Sequence, residues 1–134
     1  MTLVPGLTNQ IIITVSEQDT ARAAGGEHLP PVFSTPRLVS YLEKTAHESI
    51  FPLLDEGKTS VGTIVNIRHL AATPVGMQIR FQSELIAING QRLTFKVEAW
   101  DEVEQIADGE HERFIIDQTR FQRRLNEKLT LINK

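Results

Sequence analysis

The stretch from Phe33 to Leu54 carries apolar and small residues at helical spacing, so it predicts one long buried helix. Ser34 and Thr35 offer N-cap hydroxyls at its start, and Pro36 suits the first helical position. Two stripes run along this helix, one formed by Leu38, Leu42, Thr45, Ser49 and Leu53 and the other by Val39, Ala46 and Ile50. A helix that is apolar around much of its surface is typical of one wrapped by a sheet. Glu43 interrupts the second stripe, so this acid lies either at the rim of the buried face or inside it for a functional reason.

The segment ahead of this helix predicts a first strand and a loop. Ile11 to Val15 is short and β-branched, as strands are. Residues 16–31 contain two glycines, two prolines and few apolar residues, which is typical of a loop. A loop of this length is either a lid over a site or a plain solvated connection.

After the helix the hydrophobic pattern changes to a period of two, which indicates strands. The first of these strands ends at His69, and the residues predicted to share the face of His69 are Val61, Thr63, Val65 and Ile67. The next strand runs from Met77 to Ala87, and Asn89-Gly90 behind it favours a hairpin with a type I′ turn. The returning strand is predicted to bury Leu93, Phe95, Val97 and Ala99.

A last strand and a terminal helix complete the pattern. Gln105 to Asp117 alternates like a strand, and residues 118–134 carry Phe121, Leu125 and Leu129 among basic residues, as a short amphipathic helix does. The order of the elements predicts an α+β fold, an antiparallel sheet wrapped around a long central helix with a short C-terminal helix. The 134 residues are expected to form a single domain spanning 1–134.

Composition narrows the classes of function. The net charge of −3 and the pI near 5.8 are not those of a general nucleic-acid binder. The absence of cysteine excludes disulfides, thiolate catalysis and thiolate metal sites. No signal peptide or apolar run long enough to span a membrane is evident, so we expect a cytoplasmic protein without membrane contact. Its partner is expected to be a small molecule or a second copy of the chain.

Three polar residues are poorly explained by a purely structural role: Thr35 at the helix N-terminus, Glu43 two turns further on, and His69 at a strand end. A hydroxyl, a carboxylate and an imidazole are the groups that hydrolysis needs as nucleophile, base and proton carrier. Each also has an ordinary alternative, because such residues are commonly an N-cap, a solvated helix edge and a satisfied polar group. Spacing alone therefore predicts an α+β domain with a candidate Thr/Glu/His site.

The other histidines carry weaker expectations. His28 and His47 are expected to be solvated, whereas His111 and Arg113 either form a buried polar pair or contact a substrate. No metal site is expected, because His69 and His111 lie on separate strands without a recognisable ligand spacing.

Three segments of the chain carry recognisable motifs: residues 32–46 (VFSTPRLVSYLEKTA), residues 60–76 (SVGTIVNIRHLAATPVG) and residues 109–116 (GEHERFII). Together they resemble the fluoroacetyl-CoA thioesterase branch of the hotdog-fold superfamily. The motif H-x-A-A-T-P-x-G, here His69 to Gly76, is the most specific of them. The similarity runs from about Val32 to Phe121, which is most of the chain.

The resemblance implies a hotdog homodimer that binds acyl-CoA between its subunits, with the site shared across the interface. It implies that Thr35, Glu43 and His69 are catalytic. Gly62 matches a glycine near the bound acyl group, and Arg113 matches an arginine of the family pattern. No cofactor is implied, because CoA enters as part of the substrate.

Residues 25–31 (GGEHLPP) depart from the family's best-known specificity, which rests on aromatic lid residues at this place. Phe33 is the aromatic residue that remains nearby, and we expect it to contact the substrate. The resemblance therefore predicts hydrolysis of a small acyl-CoA thioester, whereas fluoroacetyl selectivity does not follow from it.

Two other functions remain alternatives. A non-catalytic hotdog module would bind acyl-CoA or another small ligand through basic residues such as Arg37, Arg68 or the tail cluster. A dehydratase-type hotdog enzyme would pair its catalytic histidine with an acid in a different strand–helix context. Release of free thiol distinguishes hydrolysis from both.

Overall fold

Five strands and three helices make up residues 2–132, the part of the chain that this computed structural model describes. The strands are β1 (Thr8–Thr14), β2 (Lys58–His69), β3 (Gln78–Asn89), β4 (Arg92–Asp101) and β5 (Gln105–Asp117). The helices are α1 (Ala21–Gly25), α2 (Thr35–Ile50) and α3 (Gln118–Leu131), and single 3₁₀ turns cover Glu17–Asp19 and Phe51–Leu53.

Helix α2 is the centre of the fold. Ser34 is its N-cap, since the Ser34 Oγ accepts a hydrogen bond from the Arg37 N–H at 3.2 Å. The helix ends at Ile50 rather than at the predicted Leu54. Pro52 accounts for the early end, because proline has no N–H to donate and its ring clashes with the carbonyl four residues earlier.

The five strands form one antiparallel sheet in the order β1-β3-β4-β5-β2, and α2 packs against it. Alternate side chains of the three central strands point at the helix and are fully buried, which is the period of two that the sequence shows. The apolar residues of this sheet face are Ile79, Phe81, Leu85, Leu93, Phe95, Val97, Ala99 and Ala107. They pack on Leu38, Leu42, Ala46 and Ile50 of α2. The predicted antiparallel sheet around a central helix is confirmed.

Strand β2 carries a bulge that changes the direction of its side chains midway. Gly62 lies opposite Arg113 of β5, but the next paired residue is Ile64, opposite Glu112. Thr63 therefore has no paired residue in the register with β5. Such an extra residue reverses the side of the sheet that the side chains beyond it face.

Because of this bulge, the predicted face of β2 is right only beyond Thr63. Val65 lies opposite the buried His111, so it and His69 share the helix side of the sheet. Val61 and Thr63 instead line a groove against α3 on the outer side. Gly62 occupies the helix side in their place.

The β3–β4 hairpin is confirmed, but its turn differs from the predicted type I′. The strands still pair at Asn89 and Arg92, so the two loop residues are Gly90 and Gln91. Gly90 has a φ of +63°, and none of the non-glycine residues among 2–132 has a positive φ. A positive φ at the first loop residue alone is the pattern of a type II′ turn.

The segment 16–31, predicted as a loop, contains a 3₁₀ turn and the short helix α1, and specific contacts hold it against the start of α2. The buried Asp19 carboxylate accepts a hydrogen bond from the Ser16 N–H at 2.9 Å and lies 3.4 Å from the Arg37 guanidinium. The Ala21 N–H donates to the Val32 carbonyl at 2.8 Å. These contacts make the segment a fixed border of the helix N-terminus.

Helix α3 begins at the predicted residue, with Asp117 as its N-cap. It lies on the outer side of the sheet, and a groove of about 740 Å³ separates it from Val61 and Phe114. Phe121 and Leu125 line this groove while staying partly exposed. The last two residues of the predicted helix, 133–134, fall outside the described residues.

Candidate active site

Thr35 and His69 meet at the N-terminus of α2. Ser34 serves as the cap, so the Thr35 hydroxyl is free of that role and lies 2.8 Å from His69 Nδ1. The motif that begins at His69 holds this pair together. Its Thr73 carbonyl accepts the Phe33 N–H at 2.8 Å, and Pro74 forms a β-bridge with Val32.

A pocket of about 360 Å³ opens beside this pair. It is lined by Ala21, Val32, Phe33, Ser34, Thr35, His69, Leu70, Ala71 and Ala72. The first N–H groups of a helix lack intrahelical partners and carry partial positive charge, so negative charge is favoured at this end of α2. The pocket therefore combines a hydroxyl, an imidazole and an oxyanion-stabilising helix end.

The His69 imidazole is half-buried, and this position favours its uncharged form. Burial lowers the pKa of its imidazole from the usual 6.5, and the Ala71 backbone offsets part of that effect. Its Nε2 is buried and has no hydrogen-bond partner among residues 2–132. At neutral pH the ring is thus uncharged, with a nitrogen able to accept the proton of the Thr35 hydroxyl or of a water molecule.

Glu43 lies apart from this pair within the chain. It follows Thr35 by two turns, which is about 12 Å along a helix axis at 1.5 Å per residue. Its carboxylate instead lies 3.6 Å from Arg113 Nη1 and 4.0 Å from His111 Nε2, and its side chain is 36% exposed. One chain therefore brings Thr35 and His69 together and keeps Glu43 in a second cluster.

Gly62 makes room for the Glu43 carboxylate. A Cβ at this position would overlap Glu43 Oε1 and crowd the side chains of His111 and Arg113. The Thr63 bulge is what directs position 62 toward the helix. Gly62 and Arg113, two predicted substrate-binding residues, thus both border Glu43.

A buried polar network lies beneath Glu43. The Arg113 side chain is 9% exposed, and its Nε and Nη2 donate to Ser60 Oγ at 2.7 Å and to the Ser60 carbonyl at 3.0 Å. Its Nη1 donates to His111 Nε2 at 3.1 Å, and His111 Nδ1 in turn donates to the Ile64 carbonyl at 2.8 Å. Burial lowers the pKa of both His111 and Arg113. The expected His111–Arg113 polar pair is therefore present.

Sequence reasoning missed two members of this network, Ser60 and His47. The prediction that His47 is solvated is wrong, because its Nδ1 lies 2.7 Å from Ser60 Oγ. Burial, and then the charge of Arg113, lower the pKa of His47. The signal was present in the helix itself, since His47 follows Glu43 by four residues and so shares its face.

The remaining predicted binding residues have structural contacts. Phe33 is 1% exposed, and its ring packs against Tyr41 and Phe81 at centroid distances of 6.3 and 6.0 Å. Arg37 pairs with Asp19, while Arg68 donates to both carboxylate oxygens of Asp108 at 2.9 and 2.8 Å. His28 is exposed, as predicted.

Residues 2–132 contain no helix that is long and apolar enough to cross a membrane. They also contain no cluster of three or more histidine, aspartate or glutamate side chains that could hold a metal ion.

A family model and a known thioesterase both match most of this chain. The family model of the fluoroacetyl-CoA-specific thioesterase matches residues 15–119. The fluoroacetyl-CoA thioesterase of Streptantibioticus cattleyicolor is 35% identical over 99 residues, which cover 74% of this chain and 71% of that protein.

Three solved structures also superpose closely on this chain. A fluoroacetyl-CoA thioesterase structure superposes with a TM-score of 0.89 at 29% identity, covering 96% of this chain and 98% of the other. A thioesterase superfamily member from Thermus thermophilus gives a TM-score of 0.87 at 29% identity, covering 97% and 98%. A hot-dog-like protein from Thermanaerovibrio acidaminovorans, at 24% identity, has a TM-score of 0.85 over 92% of this chain and 91% of its own.

Proposed function

This chain belongs to the fluoroacetyl-CoA-specific thioesterase family, a family of thioester hydrolases, and from that premise we propose that it hydrolyses small acyl-CoA thioesters at a site made of Thr35, His69 and Glu43. The observation that carries the proposal is the 2.8 Å contact between the Thr35 hydroxyl and His69 Nδ1 at the mouth of a pocket. A hydroxyl paired with a neutral imidazole is the arrangement that activates an oxygen nucleophile.

The chemistry follows from the position of the pair. The thioester carbonyl lies at the N-terminus of α2, whose free N–H groups and dipole stabilise the negative charge that develops on its oxygen. His69 takes the proton of the attacking oxygen, from the Thr35 hydroxyl or from water. It then delivers that proton to the sulfur as the carbon–sulfur bond breaks, so that the CoA thiol leaves. Attack by water gives the free acid in this same step. Attack by Thr35 leaves an acyl ester on its oxygen, which a water molecule then hydrolyses to the free acid with His69 again taking the proton.

Glu43 enters this site from a second subunit. Within one chain about 12 Å of helix separates it from Thr35, too far for a shared proton. Its carboxylate is partly exposed beside Gly62, on β2, which is an edge strand of the sheet. An unpaired edge with exposed apolar residues, here Ile64 and Val65, is suited to pairing with the same strand of another copy. The proposed enzyme is thus a homodimer whose sites lie at the interface.

A screen for thiol release tests the activity. The protein is incubated with acyl-CoA esters of increasing chain length and polarity, and free CoA is followed with a thiol reagent. We expect turnover of short acyl groups, because the fluoroacetyl-CoA thioesterase relatives are named for a two-carbon acyl group. Saturable binding without thiol release across the panel would favour a non-catalytic binding module instead.

Mixed dimers test whether the site is shared. His69→Ala and Glu43→Ala chains carrying different affinity tags are co-expressed, and dimers containing one of each are purified. If the site is shared, one of the two sites in each mixed dimer is intact, and about half of the wild-type activity returns. Mixed dimers as inactive as their parents would place all three residues in a single chain's site.

A further inference from the structure

The hydrogen bonds beneath Glu43 have a defined direction. Arg113 can only donate, so Ser60 Oγ accepts from Arg113 Nε at 2.7 Å. The single hydrogen of the Ser60 hydroxyl is then left for the other neighbour at 2.7 Å, His47 Nδ1. Ser60 Oγ could also accept from both neighbours, but its own hydrogen would then have no acceptor among residues 2–132. We therefore assign His47 Nδ1 as the acceptor, with a neutral ring that carries its proton on Nε2.

His47 Nδ1 thus orients the Ser60 hydroxyl, and the Ser60 oxygen in turn holds the Arg113 guanidinium in place. Without an acceptor at His47, the Ser60 hydroxyl could rotate, and its hydrogen would oppose the Arg113 Nε–H. Arg113 is the cation nearest Glu43, at 3.6 Å, and its Nη1 also bonds His111. The orientation of the guanidinium therefore determines the position of the charge that the Glu43 carboxylate faces.

We propose that His47 is a positioning residue of the hydrolase, acting on Glu43 through Ser60 and Arg113. The inference rests on the proposed function, since it assumes that Glu43 takes part in acyl-CoA hydrolysis. His47 itself touches neither the Thr35–His69 pair nor the pocket beside it in this structure.

The charges around His47 give the network a dependence on pH. Arg113 of β5 disfavours a charge on the ring and Glu48 of α2 favours it, while Phe51 packs on the ring at a centroid distance of 5.2 Å. The pKa of His47 lies under the usual 6.5, mainly because the ring is buried. As the pH falls through that pKa, Nδ1 becomes a donor and the Ser60 hydroxyl loses its acceptor.

Two substitutions separate the hydrogen bond from the shape of the side chain. His47→Leu removes the acceptor while keeping bulk and helix preference. His47→Asn places an amide oxygen where Nδ1 stands and cannot take up a proton. Gln10→Ala, at an exposed position of β1 on the opposite edge of the sheet, is the control. For each variant we would measure kcat, KM, the pH profile of kcat and the thermal unfolding midpoint, using the acyl-CoA that the wild type turns over best.

We expect His47→Leu to lower kcat by about 10-fold with KM changed by less than about two-fold, because a displaced Glu43 affects the chemical step. His47→Asn should recover most of that loss and hold its kcat further into the acid range than the wild type does. In a Ser60→Ala background, the effect of His47→Leu should fall under about two-fold, because the two changes break the same path.

The results also distinguish this inference from the proposed function. If the wild type releases no thiol, the proposed function fails and the inference fails with it. If the wild type is active, the inference alone is overturned by a His47→Leu variant within about two-fold of wild-type kcat, or by an undiminished effect in the Ser60→Ala background. Should His47→Leu not fold, His47→Ala takes its place in the same comparisons, and a kcat within about two-fold of the wild type would overturn the inference.

Discussion

Replacing His69 with alanine is expected to lower kcat/KM for acyl-CoA hydrolysis by about 10²–10⁴-fold, because the nucleophile loses its proton acceptor. The Thr35 hydroxyl would keep its place on the first turn of α2 but would have no base at 2.8 Å. The fold should be retained, because His69 ends its strand beside an open pocket and its Nε2 has no partner among residues 2–132. Thiol release under saturating and limiting substrate measures the loss.

The control for this variant is Gln10→Ala. Gln10 is exposed on β1, at the edge of the sheet opposite β2, so its removal should leave both kcat and KM unchanged. Equal rates for His69→Ala and the wild type, with the unfolding midpoint preserved, would mean that the hydrolase does not use this imidazole.

Arg113→Leu is expected to lower the free energy of unfolding by about 3 kcal/mol, since it breaks three charge-assisted hydrogen bonds in a buried place. The Ser60 carbonyl and His111 Nε2 would each lose the donor they have now. The Glu43 carboxylate would also lose its nearest cation, so kcat should fall together with stability. Urea unfolding followed by circular dichroism gives the first quantity and thiol release the second.

Arg68→Leu is the control that shows how much of the loss in stability depends on burial of the arginine. Arg68 donates two hydrogen bonds to Asp108 of β5, but its side chain is 72% exposed, unlike that of Arg113. Exposed pairs contribute little because water solvates both partners when they separate. A comparable loss of stability in the two variants would contradict the assignment of Arg113 to a buried network.

Much of this fold was predictable because its elements have strong local signals. The stripe of Leu38 and Leu42, the cap at Ser34 and the alternation of β4 and of β3 up to Leu85 each report a buried face directly. Thr35, Glu43 and His69 were found as candidates because polar side chains on such faces need a reason to be there.

The features that sequence patterns missed depend on pairing between distant segments. The Thr63 bulge exists only in the register of β2 against β5, and no local pattern marks it. The role of His47 depends on Ser60, which contacts it between α2 and β2, and the bulge determines which side chains of β2 face the helix at that point. The distance between Glu43 and Thr35 follows from helix geometry alone, and it is one ground for the proposed second subunit.

The bulge at Thr63 also bears on which strands can associate with this protein in a crowded solution. A long, flat and apolar edge accepts any extended chain, and such edges cause aggregation. A bulge bends and twists the strand locally, so a regular foreign strand cannot keep its hydrogen bonds along the whole edge. In the proposed homodimer, a second copy would present the same irregularity at its own β2 edge. The same extra residue that turns Gly62 toward Glu43 thereby makes the edge a poor template for a regular foreign strand.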